Sequence, residues 1–292
     1  MGGMFGESKF DILQRIPHEY VPRTFRLTPP IRRADVLSQL KAAGLQFPVI
    51  LKPDIGERGF MVKIIRGEHQ LEDYLCRLSP AASVLVQEFI ELPLEFGVFY
   101  MKMPTEQTGK VIAVVAKEML SVTGDGQSTL RSLILNLDRA RLQWKKLRET
   151  YKDRLDEIIP AGKKIELVSI GNHSLGTRFM NGSHLINERL SCTFGRISDC
   201  IPEFYFGRFD LRCASLEDLY EGKVKIMELN GCGAEPTHIY DTEFSLWKAM
   251  GVLVAHWDRI YRISVENRKR GVQYISLREA VNHYRKFKTV VK

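Results

Sequence analysis

The chain has 292 residues, of which 44% are hydrophobic and 27% charged, and its formal net charge is +8. Such a length and composition describe a globular protein with a sizeable core in one or two domains, and they exclude a chain too polar to fold. Five scattered cysteines without a CxxC pair read as reduced, packed thiols, no apolar run reaches the about 18 residues of a membrane helix, and no basic-then-apolar leader is seen, so a soluble, cytoplasmic setting is expected.

Residues 1–30 read as irregular, with Gly2-Gly3 at the start and Pro17, Pro22, Pro29 and Pro30 preventing long helices. Their apolar side chains (Phe5, Phe10, Ile12, Leu13, Ile16) predict a segment packed on something. A helix is predicted over 34–43, with Gly44 as its stop. Phe47–Leu51 is a buried strand ended by Lys52-Pro53, and a loop with Gly56 and Gly59 leads to a second strand, Phe60–Ile65. Two strands joined by glycines and flanked by lysines either fold over a polyphosphate or make a plain hairpin. A Walker loop is excluded, because GxxxxGK[ST] is absent.

A helix over 69–78 precedes strands over 84–90 and 96–103, divided by Pro93. Gln87, Glu88, Phe89 and Ile90 can form a hinge whose backbone reads a base edge, and Glu95 either accepts from ribose hydroxyls or is simply solvated. Lys110–Lys117 is another strand, and Ser128 is placed to cap a helix running to Asn136. Residues 138–158 form a charged helix whose mixed signs argue against a nucleic-acid arm. After a strand over 165–170 comes GNHSLGTRFMNG, where His173 is a base, a ligand or a hydrogen-bonded loop histidine. Arg178 there is a bidentate anion clamp or a surface ion pair.

The stretch 204–241 organises the rest. Alternation predicts two neighbouring strands, Tyr205–Arg212 and Lys223–Leu229, with a turn at Gly222. Residues two apart share a face, so Arg208 and Asp210 point one way from the first strand and Glu228 and Asn230 from the second. Phe209, Leu211, Met227 and Leu229 are assigned to the opposite face. Two carboxylates and a carboxamide beside an arginine suit Mg²⁺, unless the hairpin is merely solvated. A helix over 242–262 is expected to bury Phe244, Trp247, Met250 and Leu253-Val254, and Ser276 to Glu279 has the form of a capping box before a basic helix.

Taken together, VILKP, DIGERGFMV, VLVQEFIELPLEFGVFY and GRFDLR followed by MELNGCG resemble the ATP-grasp superfamily of carboxylate–amine ligases, within it the D-alanine–D-alanine ligase-like group, over residues 35–255. VTGDGQSTLRSLI and GNHSLGTRF look more like cyanophycin-synthetase-type members. The resemblance implies an α+β fold of two lobes, each with an antiparallel sheet and helices, and nucleotide between them. It implies a flanking segment 1–34, a small lobe 35–90, a larger metal-binding lobe 91–265 and a C-terminal basic helix 266–292.

By the same resemblance Lys52, Gly56, Gly59 and Lys117 meet ATP, Gln87 to Ile90 meet adenine and Glu95 the ribose. Asp210, Glu228 and Asn230 hold Mg²⁺, or Mn²⁺ in its place. Arg208 meets the transferred phosphoryl group and, together with Arg178, an oxyanion, and the loops 56–59 and 124–129 are candidate covers. The implied activity is ATP-dependent joining of a carboxylate to an amine through an acyl phosphate, on amino-acid or peptide-type substrates. A nucleotide binder without ligase activity and a carboxylate kinase of the same fold stay open. Expected partners are small-molecule substrates and, as an additional candidate, a second copy of the chain, with neither nucleic acid nor membrane. Glu57 and Arg58 depart from the small hydroxyl residues of D-alanine ligases, and too little chain precedes Val49 for their N-terminal domain, so D-alanine as substrate does not follow.

Overall fold

Period-two runs of apolar side chains build two large antiparallel sheets, besides a two-stranded one, seen in a computed structural model that describes residues 2–4, 6–56, 59–171 and 175–291. The first sheet holds four strands in the order β1 (Thr24–Leu27), β4 (Val84–Glu88), β2 (Val49–Pro53) and β3 (Lys63–Ile65). Val49, Leu51, Val84 and Val86 point to one side, where helices α2 (Arg33–Ala42) and α3 (Glu68–Cys76) cover them with Val36, Leu40, Leu71 and Tyr74. Period two then leaves Lys52 on the opposite, uncovered side.

The second sheet has five strands in the order β11 (Lys225–Asn230), β10 (Phe206–Cys213), β5 (Leu94–Met101), β6 (Lys110–Glu118) and β9 (Arg178–Asn181). Val98, Tyr100, Val114, Phe209 and Leu211 pack on α7 (Glu188–Asp199), through Leu190, Phe194 and Ile197, while α8 (Leu216–Glu221) adds Leu219. The α+β class and the two antiparallel sheets follow the expectation.

Three features differ from it. Residues 1–30 are not irregular throughout, because Thr24–Leu27 pairs with β4, and α1 (Lys9–Leu13) sends Leu13, followed by Ile16, into the core of the second sheet. Asp54 fastens this segment, accepting from Ser8 Oγ at 2.9 Å and from the Phe10 N–H at 3.0 Å. Four residues with one Phe and one Leu are too short for alternation to announce a strand. Second, residues 120–167 form a small unit of their own. It combines β7 (Ser121–Thr123), β8 (Lys164–Glu166), α4 (Leu130–Asn136), α5 (Asp138–Arg141) and α6 (Trp144–Thr150) around a separate core that includes Ile134 and Leu147. The charged run 138–158 is thus broken rather than one helix, and Thr129, not Ser128, caps α4.

Third, α9 (Leu246–Lys269) turns a different face inward. His256 and Ile263 are buried, whereas Trp247 is 84% and Val254 67% exposed. Its apolar residues surround the helix, so periodicity could not select the packed stripe. The final helix, α10 (Leu277–Val291), begins at the expected capping box, with Ser276 N–H donating to Glu279 and the Glu279 N–H to Ser276 Oγ. No helix among the described residues is long and apolar enough to cross a membrane.

Candidate functional site

Lys52 in the first sheet faces β10 and β11 of the second across a pocket of about 580 Å³. The same pocket is lined by Gly56, Gly59, Gln87, Glu88, Phe89 and Ile90 from the first lobe. From the second come Glu95, Lys117, Arg208, Asp210, Glu228 and Asn230. Arg178 is not brought there; its guanidinium donates to Thr242 Oγ1 at 3.3 Å from strand β9. Glu57, Arg58 and His173, like Phe5, lie outside the described residues.

Register explains the cluster. Arg208 lies opposite Asn230 and Asp210 opposite Glu228, so all four emerge on one face. Beyond them the pairing slips, with Leu211 opposite Ile226 and Met227 left over as a β-bulge. Ile226 and Leu229 are therefore the core residues, and Met227, assigned to the core face by strict alternation, lines the pocket instead. Its carbonyl accepts from Lys52 Nζ at 3.0 Å.

Asp210 is the hub. Its Oδ2 accepts from Arg208 at 2.9 and 3.1 Å and from Asn230 Nδ2 at 2.8 Å. Its Oδ1 meets Lys117 Nζ at 3.2 Å as an ion pair but takes no hydrogen bond. Burial works against its ionisation, yet Arg208 and Lys117 more than offset this, and the carboxyl titrates below the usual range. For Lys117 and Arg208 burial likewise opposes the charge, and the neighbouring carboxylates, Asp210 foremost, more than offset it, so both stay cationic. Lys52 lacks such a partner. Among the described residues its hydrogen bonds reach only Gln87 Oε1 and the Met227 carbonyl, both at 3.0 Å, and burial lowers its pKa to about 8.

Space for this hub comes from Gly97, which pairs with Asp210 in the sheet. A Cβ there would lie 3.1 Å from Arg208 Cδ and 3.2 Å from Asp210 Oδ1, closer than ordinary contact. Glu228 makes no hydrogen bond or ion pair among the described residues, and the Asn230 oxygen is left over when its amide donates to Asp210. Oxygen donors for a hard cation are thus present: both oxygens of Glu228, Oδ1 of Asp210 and that of Asn230. No group of three His, Cys, Asp or Glu side chains set to hold a metal occurs among the described residues.

Sequence reasoning missed Arg212. It continues the 208, 210 alternation and is buried, donating to Glu95 Oε2 at 2.9 Å and to the carbonyls of Ile90 and Ser169 at 2.9 and 3.0 Å. Glu95 also accepts from Lys117 at 2.9 Å, so its carboxylate is already doubly paired. Thr24 was missed too; its hydroxyl accepts from Gln87 Nε2 at 3.1 Å and turns the Gln87 oxygen toward Lys52. Gln87 thus presents a side chain already in use. The loop 124–129 is pinned within the small unit, Gly126 N–H to Ile159 carbonyl at 3.0 Å, and does not line the pocket; Ser169, Ile170 and Gly171 do.

No protein-family model matches the chain. The glutathione biosynthesis bifunctional protein GshAB of Streptococcus mutans is 29% identical over 149 residues, which cover 44% of this chain and 19% of that protein. Among solved structures, a bifunctional glutathione synthetase from Pasteurella multocida is similar over 86% of this chain and 35% of its own, with 16% identity and a TM-score of 0.40. A D-alanine–D-alanine ligase from Bacillus anthracis is similar over 91% of this chain and 69% of its own, with 16% identity and a TM-score of 0.49. The chain thus spans about a fifth of the length of the curated relative it matches.

Proposed function

We propose that this chain is an ATP-grasp ligase that uses ATP to activate a substrate carboxylate and joins it to an amine, on amino-acid or peptide-type substrates. The observation that carries the reading is the cationic and acidic cluster of Lys52, Lys117, Arg208, Asp210, Glu228 and Asn230 converging on one pocket between two antiparallel sheets. The sequence likeness to a glutathione biosynthesis protein supports it. On this reading 35–90, joined by strand β1, is the small lobe, and 91–265, with α1 packed against it, is the larger one.

Lys52 and Arg208 would take the phosphates, one from each sheet. Arg208 is held for this by Asp210 and by the Glu235 carbonyl at 3.0 Å, so its fork enters the pocket already oriented. Asp210, Glu228 and Asn230 are the donors that would hold Mg²⁺, which supplies charge neutralisation on the phosphate oxygens. The substrate carboxylate attacks the γ-phosphorus and ADP leaves. An amine then displaces phosphate from the acyl phosphate, and Arg208 is placed to stabilise the developing oxyanion.

The test is an ADP-release screen of amino acids and dipeptides with mass spectrometry of the products. Asp210→Ala and Glu228→Ala are expected to abolish Mg²⁺-dependent release while thermal melts show a folded chain. Unchanged release in both variants would count against the assignment. ADP without a condensed product would indicate a carboxylate kinase, and binding of ATP without release a nucleotide-holding module.

A further inference from the structure

A second pocket, of about 460 Å³, lies under α9 on the same face of the large sheet, beyond the nucleotide pocket. The turn Thr237–Tyr240 divides the two: Thr237 and Tyr240 line the first, Pro236 and His238 the second. Phe99 belongs to the partition, with the Arg208 guanidinium 5.7 Å from its ring centroid and the His256 ring 5.8 Å away edge-on. Phe99, Ile112, Phe244 and Val252 give the second pocket apolar walls, and its volume is that of a small-ligand site.

Asn181 and Ser183 in these walls bond to each other, whereas three basic side chains do not find such partners among the described residues. His238 is 6% exposed, and its Nδ1 has no hydrogen-bond partner. Buried nitrogens are nearly always paired, so this closed-off Nδ1 has a bond to make, and the ring must turn toward the pocket it lines before a ligand there can complete it. Lys248 and Arg259 join Val252 and Ala255 on one stripe of α9. Neither cation makes a side-chain ion pair or hydrogen bond among the described residues, and no Asp or Glu lines the pocket. The nearby Asp241 is committed to the N–H groups of Asn181 and Glu243, at 2.7 and 3.1 Å. Asp258, on the same helix, pairs with Arg262.

We propose that this second pocket binds a small organic carboxylate with an apolar body, its carboxylate held by Arg259, Lys248 and His238 and its body among Phe99, Ile112 and Val252. A guanidinium takes both oxygens of a carboxylate in its fork, and the apolar walls favour such a ligand over a bare phosphate. His238 is kept neutral by burial and by Arg259, so it offers one N–H rather than a third charge. The inference rests on this pocket alone and is independent of the ligase reading.

Isothermal calorimetry with 3-phenylpropionate tests it, with neutral 3-phenylpropanamide as the isosteric control. Saturable binding is expected for the acid, and at least tenfold weaker binding for the amide. Arg259→Gln and His238→Phe should each weaken the acid about tenfold, with thermal melts verifying the fold; the partly exposed Arg259 carries the test if His238→Phe does not fold. Asp210→Asn, in the first pocket, should leave the affinity unchanged. Absence of saturable binding, equal affinity for acid and amide, unchanged affinity in Arg259→Gln, or loss in Asp210→Asn would each overturn the proposal.

Discussion

Lys52 should take up a proton when a nucleotide binds. Its ammonium is buried, 6% exposed, and among the described residues donates only to neutral oxygens. Burial lowers its pKa to about 8; Glu228 resists the fall, Lys9 adds to it, and Asp210 and Asp54 resist it again. Phosphate oxygens beside it would restore the ordinary value of about 10.4. Half of the free Lys52 is then charged at pH 8, so binding should take up about half a proton there, about a tenth at pH 7 and about nine tenths at pH 9. If only the charged form binds well, affinity falls about tenfold, ~1.4 kcal/mol, between pH 7 and 9. Calorimetry in buffers of different ionisation enthalpy measures the uptake directly. Lys52→Arg, whose guanidinium stays charged, should show none from this position. Zero uptake at pH 8 in the unaltered chain, or equal uptake in Lys52→Arg, would refute the reasoning. The sign for the unliganded fold is also set: between about pH 8 and about 10.4 the unfolded chain binds more protons than the folded one, so this lysine adds stability as pH rises.

Gly97→Ala should press on Arg208 and Asp210, which stand 3.1 and 3.2 Å from the added Cβ. A small misplacement of this kind lowers turnover by about 10²-fold, measured as Mg²⁺-dependent ADP release. Arg212→Ala strips a buried carboxylate of one of its two cations and should cost about 3–5 kcal/mol in urea unfolding, while Glu95→Gln with Arg212→Met recovers part of the loss. Asp54→Ala removes the acceptor for Ser8, the Phe10 N–H and Arg26. It should cost about 1–3 kcal/mol and speed hydrogen exchange over 8–13 while leaving β2 protected.

Much of the site was legible because it is local. Arg208 and Asp210 sit two apart on a strand, as do Glu228 and Asn230, and a period of two puts each pair on one face whatever the rest of the chain does. The bulge at Met227 was not legible, since alternation carries no mark of an inserted residue. Nor was the state of Glu95: the sequence shows a carboxylate beside a strand, while its partners Lys117 and Arg212 arrive from β6 and β10. The inward face of α9 was misread for a related reason, because a helix apolar on several sides takes its orientation from what it packs on.

By itself, then, the sequence determined the strands, their faces and the residue types available for phosphate and cation chemistry, because backbone geometry imposes those periods within each segment. Tertiary structure alone decided which charges neutralise one another, that Lys52 makes no ion pair among the described residues, and that Arg178 stays outside the pocket. It also decided where the second pocket opens. Pairing and burial depend on which strands and helices become neighbours, and that is settled only when the sheets close on each other.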